Sequence, residues 1–452
     1  MEKTKDFTEG AILPQLLKFA LPVLLALFLQ AMYGAVDLMV VGHFGTAMDV
    51  SAVSTGSQIM HTVTTVITGL AMGITILVGQ KIGEKRPQEA GAVIGSGICL
   101  FAAGAVIVTI LMVVGADTVS RLMQAPQEAF SQTVNYVRIC SAGAVFIIAY
   151  NVLGSIFRGI GDSRMPLITV TIACIFNIAG DLIFVAGLAM GAAGAAAATV
   201  MAQAVSVLLS FLVIRRRQLP FTFGKKEVRF RKKLILKILS LGTPIALQDL
   251  LVSISFLVIM AIVNSMGVIA SAGVGVAEKL CAFVMLVPSA YMQSMSAFVA
   301  QNVGAGKPER AKKALACGIG TSLMAGILLF YVSFFHGDMM AAAFAKDGMV
   351  IAAAADYLKA YAIDCILTSF MFCFVGYFNG CGKTLFVMLQ GIIGAFCVRI
   401  PVSWLMSRTA NVTLFKIGLA TPCSTMVQIV LCVGYYILMN GKSGNADRRL
   451  GG

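Results

Sequence analysis

Two aspartates lie within long apolar stretches of this sequence, where an ionised carboxylate is costly to keep. Asp37 comes near the end of the stretch 13–41, and Asp181 follows Asn177 by four residues in the segment CIFNIAGDLIF. Residues four apart share one face of a helix, so Asn177 and Asp181 project together. Because two carboxylates in apolar surroundings repel each other, one must hold a proton or a cation must neutralise the pair. The residue types therefore predict a cation site.

Helix geometry brings further oxygen atoms to the same depth. Asp37 and Asp181 each lie four residues before the end of an apolar stretch, which at 1.5 Å per residue is about 6 Å. Tyr33 lies one turn before Asp37, and Thr199 lies on the next apolar stretch, roughly a turn deeper. Oxygen ligands of this kind suit a hard cation. A metal held here would be sodium, and its predicted ligands are Asp37, Asn177, Asp181 and Thr199.

The stretches that carry these residues have the composition of membrane-spanning helices. The chain has 452 residues, of which 59% are hydrophobic and 12% charged, and its mean hydropathy of +0.91 excludes the soluble globular classes. Apolar stretches long enough to cross a bilayer core of about 30 Å recur throughout. They predict an all-α polytopic membrane protein with twelve transmembrane helices near 13–41, 51–80, 90–114, 130–157, 165–186, 191–214, 236–263, 270–302, 312–335, 351–378, 385–406 and 413–439.

The twelve spans fall into two copies of six. In the segments GQKIGEKRPQEA and AQNVGAGKPERA, Gln80 matches Gln301 and Gly83 matches Gly304. Since each copy has an even number of spans, the copies share one orientation, and a pseudo-two-fold axis along the membrane normal should relate two six-helix bundles. The predicted domains are an N-terminal lobe, a basic cytoplasmic linker, a C-terminal lobe and a cytoplasmic tail, at 1–214, 215–235, 236–440 and 441–452.

The second copy serves as an internal control for the cation site. Asp37 corresponds to Ile259, and the positions of Asn177 and Asp181 are occupied by valines, Val398 and Val402. Because one copy omits these polar groups, the scaffold does not require them, which favours a functional role. The alternative is that Asn177 and Asp181 pack helices together while Asp37 faces lipid headgroups.

Pro22 lies inside the first span, where it removes a backbone hydrogen bond and should bend the helix. Our hypothesis is that neutralising Asp37 changes this bend, which would make Pro22 a gating residue. The alternative is a fixed kink required by packing, because Pro244 recurs in the second copy.

The net charge of +14 is distributed as a membrane topology signal and does not indicate a nucleic-acid partner. Basic residues concentrate on alternate connections, including both termini and the run from Arg215 to Lys233. The opposite connections hold only four: Arg121, Lys346, Arg408 and Lys416. By the positive-inside rule, both termini are cytoplasmic, and the expected location is the cell membrane.

The second copy keeps a different set of charged residues inside its spans: Asp249, Glu278, Lys279, Asp364 and Arg399. One interpretation is that they line a hydrated substrate cavity. Asp249 and Arg399 each lie about fourteen residues into an outward-running span, so we expect them to pair. The structural alternative is a buried ion pair that only fixes helix register.

One segment resembles a phosphate-binding loop but lacks a residue that such a loop requires. The segment NGCGKT ends like a GKT loop, but Tyr377 stands at the first required glycine position and no strand precedes it. We therefore expect no enzyme activity and no cofactor other than a coupling ion, a proton or sodium.

The segments VDLMVVGHFG and FRGIGDSRMPL, with the NxxxD helix and GAAGAAAAT after it, resemble the MATE family of multidrug and toxic compound extrusion transporters. The resemblance covers essentially the whole chain and is strongest to the DinF-like branch. It implies that Asp37, Asp181, Asn177, Tyr33 and Thr199 take part in cation coupling. The NorM-like branch has an acidic site in spans 7 and 10, but Val252 stands where its glutamate would lie.

The resemblance implies secondary active export of hydrophobic, often cationic organic compounds in exchange for protons or sodium, by alternating access. The expected partners are these small molecules and membrane lipids, and the expected state is a monomer. A flippase or exporter for a lipid or lipid-linked precursor is the alternative, which Arg399 and Lys279 favour. A channel or receptor without coupled transport is a second alternative.

Overall fold

The computed structural model describes residues 6–216, 224, 226–409 and 411–450, which form α-helices and the turns between them. We number the twelve apolar helical segments α1 to α12 in chain order. Their bounds are Ile12–Phe44, Ala47–Gly83, Pro87–Leu122, Gln127–Ala142 with Ala144–Ile160, Arg164–Gly187, Gly191–Ile214, Lys232–Asn264, Val268–Gly304, Pro308–Phe335, Gly348–Gly380, Thr384–Ser407 and Leu414–Gly441. A short helix, Gly337–Ala342, lies between α9 and α10.

The helices have the length and composition of membrane spans. Within the described ranges, eleven pass this test singly, and the two parts of α4 make a twelfth span if they are counted together. Large apolar side chains face outward on α3, where Leu111 is 65% and Val114 is 77% exposed. A soluble protein does not expose such a surface, whereas a bilayer covers it. The predicted all-α polytopic fold is confirmed.

Two helices of the first compact unit, α4 and α5, depart from regular geometry in ways that the sequence analysis did not predict. The parts of α4 meet at 56° around Gly143, where an added methyl group would overlap the side chain of Val200 on α6. A glycine there lets α4 approach α6 closely. In α5, a wider π-helical segment, Leu182–Gly187, begins directly after Asp181. Such π segments are rare and often accompany functional sites.

The beginning of α2 anchors the beginning of α6. Thr46 caps α2, and Asp49 completes a capping box by accepting from the Thr46 backbone at 2.9 Å. The other oxygen of Asp49 accepts from the backbone N–H of Ala192 at 3.0 Å. This contact fixes where the alanine-rich α6 starts, and with it the depth at which Thr199 lies.

The helices α2 and α8 cross at two matched glycines. A methyl group on Gly83 would overlap the carbonyl oxygen of Gln301, and one on Gly304 would overlap the carbonyl oxygen of Gln80. Only glycine permits so close an approach of two backbones. The glycine of each sequence copy therefore packs against the glutamine of the other copy.

Packing divides the chain into two compact units. The first contains the residues up to Ala246 together with Ala297–Arg310, and the second contains Leu247–Ser296 and the residues from Ala311 onward. The predicted lobe boundaries at 214, 236 and 440 stay predictions. Parts of the predicted linker and tail, residues 217–223, 225 and 451–452, lie outside the described ranges.

Candidate functional site

Three polar side chains from three helices meet in the first compact unit. The hydroxyl of Thr199 on α6 lies 3.3 Å from Oδ2 of Asp37 on α1, and Nδ2 of Asn177 on α5 donates to that hydroxyl at 3.4 Å. Asp37 and Asn177 are buried, with 5% and 1% of their surface exposed. The amide of Asn177 also lies within hydrogen-bonding reach of Asp37. Residues far apart in sequence thus form one polar cluster.

Asp181 completes this cluster and is fully buried. Its carboxyl group lies close enough to the Asp37 carboxyl for the two charges to interact, and two ionised carboxylates there would repel each other. Both oxygens of Asp181 and the Oδ1 atoms of Asp37 and Asn177 have no hydrogen-bond donor among the described residues. Buried acceptors without donors are rare. These oxygens have the chemistry to hold a proton or a hard cation such as sodium.

Close helix packing holds the cluster together. An added methyl group on Gly180 would lie 2.9 Å from Cβ of Ala198, so α5 and α6 approach at small residues directly beside Asp181 and Thr199. The apolar side chains of Val40 and Val41 on α1 belong to the same buried cluster as Ala195 and Val185. The polar groups are therefore enclosed by apolar packing, which excludes water and strengthens their electrostatic interactions.

Tyr33 lies beside the cluster and has its own polar partners. Its hydroxyl lies within hydrogen-bonding reach of Gln203 on α6 and Gln30 on α1. The sequence analysis did not identify these two glutamines. A signal was present, because Gln203 follows Thr199 by four residues and so shares its helix face.

Pro22 lies half-buried within α1, and the helix continues through it without interruption. It separates the N-terminal turns of α1 from the part that carries Tyr33 and Asp37. The structure places Pro22 where a change of bend would move Asp37, but its gating role stays a prediction.

The second copy has an apolar contact where the first has the cation cluster. Ile259, which matches Asp37, is fully buried against apolar neighbours that include Val263, Val274 and Tyr361. The same helical positions are thus compatible with purely apolar packing.

In the second compact unit, Arg399 interacts with Asp364 and not with Asp249, the residue that we predicted as its partner. Arg399 is 4% exposed; its Nη1 donates to Oγ of Ser255 at 3.0 Å, and its guanidinium lies 4.4 Å from the centre of the Phe256 ring. Asp364 is the carboxylate whose charge acts on it. The predicted Asp249–Arg399 pair is wrong, since no ion pair joins them in the described part of the chain.

The reason for this error is geometric. Arg399 contacts Ser255, which lies six residues beyond Asp249, or about 9 Å further along α7. Equal residue counts give equal depths only if two helices begin at one level with one tilt. Glu278 is half-buried with Oε1 lacking a donor, whereas Lys279 is exposed. A common substrate cavity for these five residues stays a prediction.

Comparison with known proteins assigns a single family to most of the chain. A sequence model described as MatE matches residues 22–183 and again residues 244–405, so the match repeats in both sequence copies. The probable multidrug resistance protein YoeA of Bacillus subtilis is 26% identical over 426 residues, which cover 92% of each chain. The multidrug export protein MepA of Staphylococcus saprophyticus is 24% identical over 420 residues, with 91% of each chain covered.

A solved structure shares the fold. It is described as the outward-facing conformation of a multidrug resistance MATE family transporter of the MOP superfamily, and it superposes with a TM-score of 0.89 at 20% identity. The alignment covers 96% of this chain and 98% of that one. Because the MatE model matches more than half of the sequence in two successive copies, the protein belongs to the MatE family.

Proposed function

We propose that this protein is a multidrug exporter that couples the exit of small organic compounds to the entry of protons or sodium ions. The observation that carries the proposal is the buried cluster of Asp37, Asn177 and Asp181, with four acceptor oxygens that find no donor in the described part of the chain. Such a cluster is most stable when a cation neutralises it. Its occupancy can therefore follow the ion concentration of the side to which it opens.

Coupling requires that the loaded and unloaded cluster favour different conformations. The three residues lie on α1 and α5, with Thr199 of α6 between them. Loss of the cation leaves two carboxylates in contact, and their repulsion favours separation of α1 from α5. A change of bend at Pro22 is one route by which α1 can respond. Alternation of access between the two sides of the membrane follows from this difference.

The names of the relatives YoeA and MepA support organic compounds as cargo. We expect cationic compounds in particular, because buried carboxylates such as Asp364 attract positive charge within an apolar lining. We also expect a monomer in the cell membrane, in contact with lipids, with both termini in the cytoplasm.

The test is uptake of ethidium into vesicles that contain the purified protein, driven by an imposed proton or sodium gradient. Asp37→Asn and Asp181→Asn should each lower gradient-driven uptake by about 5- to 150-fold, the usual range for a lost coupling free energy. Asp338→Asn, at an exposed aspartate, is the control and should transport normally. Full gradient-driven transport by both cluster variants would remove the cluster from the mechanism.

Movement of a lipid or lipid-linked precursor is the second candidate. It is favoured by Arg399, a buried guanidinium whose Nε has no acceptor among the described residues and which suits a phosphate. The same vesicles distinguish the candidates if they contain a headgroup-labelled phospholipid. Gradient-driven lipid translocation without ethidium uptake would replace the first proposal by the second.

A further inference from the structure

The residues that precede α1 are held in place by an unusual density of hydrogen bonds. The backbone carbonyl oxygens of Phe7, Glu9 and Gly10 accept from the guanidinium of Arg310 at 2.8, 2.9 and 2.7 Å. Lys307 donates to the carbonyl oxygen of Thr8 at 2.8 Å. All four successive carbonyls are thus bound by two cations, both within Ala297–Arg310 of the first compact unit.

The side chain of Phe7 adds an apolar anchor to these bonds. It is fully buried, and its ring lies 5.0 Å from the rings of both Phe19 and Phe298. Asn302 donates to the carbonyl oxygen of Phe7 at 3.2 Å and to that of Phe298 at 2.8 Å. An aromatic side chain with so much buried area contributes strongly to the contact.

The segment also has an ordered turn of its own. Oδ1 of Asp6 accepts from the backbone N–H of Thr8 at 2.8 Å and from its hydroxyl at 2.6 Å. Partial burial raises the pKa of Asp6, but the bonds from Thr8 and the charge of Lys307 outweigh this, so its pKa lies below the usual value. Asp6 therefore stays ionised at neutral pH and keeps the turn formed.

The first sequence copy provides a control for this contact. Its matching connection, between α2 and α3, carries Arg86 in place of Lys307 and Glu89 in place of Arg310. There the charges pair locally, with Lys81 bound to Glu84 at 2.7 Å and to Glu89 at 2.8 Å. In the second copy, Lys307 and Arg310 instead hold another segment of the chain. The contact is therefore not a general requirement of the connection.

The held segment leads directly into the helix of the cation cluster. Gly10 is followed by α1, which begins at Ile12 and carries Pro22 and then Asp37. The start of α1 is thus bound to the end of α8 and the start of α9 on the side that the charge distribution assigns to the cytoplasm. Arg310 is also the last residue of the first compact unit before the chain enters the second.

We propose that residues 6–10 form a latch, held by Lys307 and Arg310, that fixes the start of α1 and must release in each transport cycle. The idea that it releases in each cycle rests on the proposed transport function. Arg310 and Lys307 act as positioning residues, since they fix the start of α1 and touch neither the cation cluster nor its ions.

Cross-linking tests whether the latch moves. In the double variant Phe7→Cys/Phe298→Cys, a short bis-methanethiosulfonate linker should lower ethidium transport by at least about tenfold, and a thiol reductant should restore it. The single-cysteine variants, treated in the same way, control for the eleven native cysteines. Equilibrium binding of ethidium from the outer side should change less than twofold. Transport at the unlinked rate by the cross-linked protein would overturn the proposal.

Hydrogen–deuterium exchange tests the latch without any transport assay. Lys307→Gln/Arg310→Gln should speed amide exchange in residues 297–310 by at least about tenfold, because this segment loses its hold on residues 6–10. Arg86→Gln, at the position that matches Lys307, should leave exchange there unchanged, and Arg310→Lys should show an intermediate effect. Unchanged exchange in the double variant would refute the latch. If even the unaltered protein does not transport ethidium, the proposed transport function is wrong. The exchange experiment then still shows whether Lys307 and Arg310 hold residues 6–10.

Discussion

The hydroxyl of Thr199 connects Asp37 to Asn177 in the cation cluster. Its hydroxyl proton has two acceptors, Oδ2 of Asp37 at 3.3 Å and the carbonyl oxygen of Ala195 at 3.0 Å. Both distances exceed the usual 2.7–2.8 Å or so for a hydroxyl donor. The hydroxyl can therefore turn towards Asp37 when the carboxylate is charged and back to its own helix when a cation neutralises it.

This argument predicts a specific effect of removing one oxygen. Thr199→Val keeps the shape of the side chain and should weaken the apparent affinity for the coupling ion about tenfold, or about 1.4 kcal/mol. Thr199→Ser should keep near-normal affinity. Thr171→Val is the control, since the Thr171 hydroxyl donates to the carbonyl oxygen of Leu167 within α5. Ethidium transport measured against sodium concentration and pH gives the affinity, and equal values for the Val and Ser variants would contradict the assigned role.

The sequence was informative about this cluster for a physical reason. Charged groups in apolar stretches stand out, and helix geometry alone places Asp37 and Asp181 at one depth. Gln30 and Gln203 did not stand out, because an uncharged amide costs less to bury than a carboxylate. The pairing of Arg399 with Ser255 depends on the level and tilt of two whole helices, which residue counting does not give.

At the scale of elements, the contact between α5 and α6 sets how tightly the cluster is held. Gly180 and Ala198 allow these helices to approach, and a side chain at Gly180 would force them apart by tenths of an ångström. Interiors tolerate such overpacking poorly, because neighbouring side chains have little room to shift.

We expect Gly180→Ala to lower the free energy of unfolding by about 1–3 kcal/mol and to weaken ion coupling together with it. Thermal unfolding of the purified protein in detergent, followed by intrinsic fluorescence, measures the first effect. Gly34→Ala on α1 is the matched control, because nothing lies within 4 Å of a methyl group there. A variant at Gly180 as stable as the unaltered protein would show that the two helices can separate without cost.

The apolar runs predicted the positions of all twelve helices, but not their irregularities. The bend of α4 at Gly143 depends on its contact with Val200, some sixty residues away in sequence. Local patterns carry no information about such a partner. The π-helical segment after Asp181 likewise lies inside a continuous apolar run, where hydropathy cannot distinguish one helical geometry from another.

At the scale of the whole molecule, the distribution of charge predicts which surface faces the cytoplasm. Lys313→Cys, at an exposed position near the start of α9, should react with a membrane-impermeant maleimide only from the inner side. Lys346→Cys, exposed between α9 and α10, should react only from the outer side. Labelling of intact cells and of inverted vesicles measures both. Reaction of the two cysteines from the same side would contradict the predicted topology.

The crossing of α2 and α8 has a consequence for the origin of the chain. Gly83 fits against Gln301 and Gly304 fits against Gln80, so each half supplies the same glycine and the same glutamine. This is the reciprocity of an isologous interface, in which one patch binds its own duplicate. A half-length chain with this patch would have a self-complementary surface and could assemble as a homodimer. Joining two such copies in one chain would leave positions away from the patch free to differ, as Asp37 and Ile259 do.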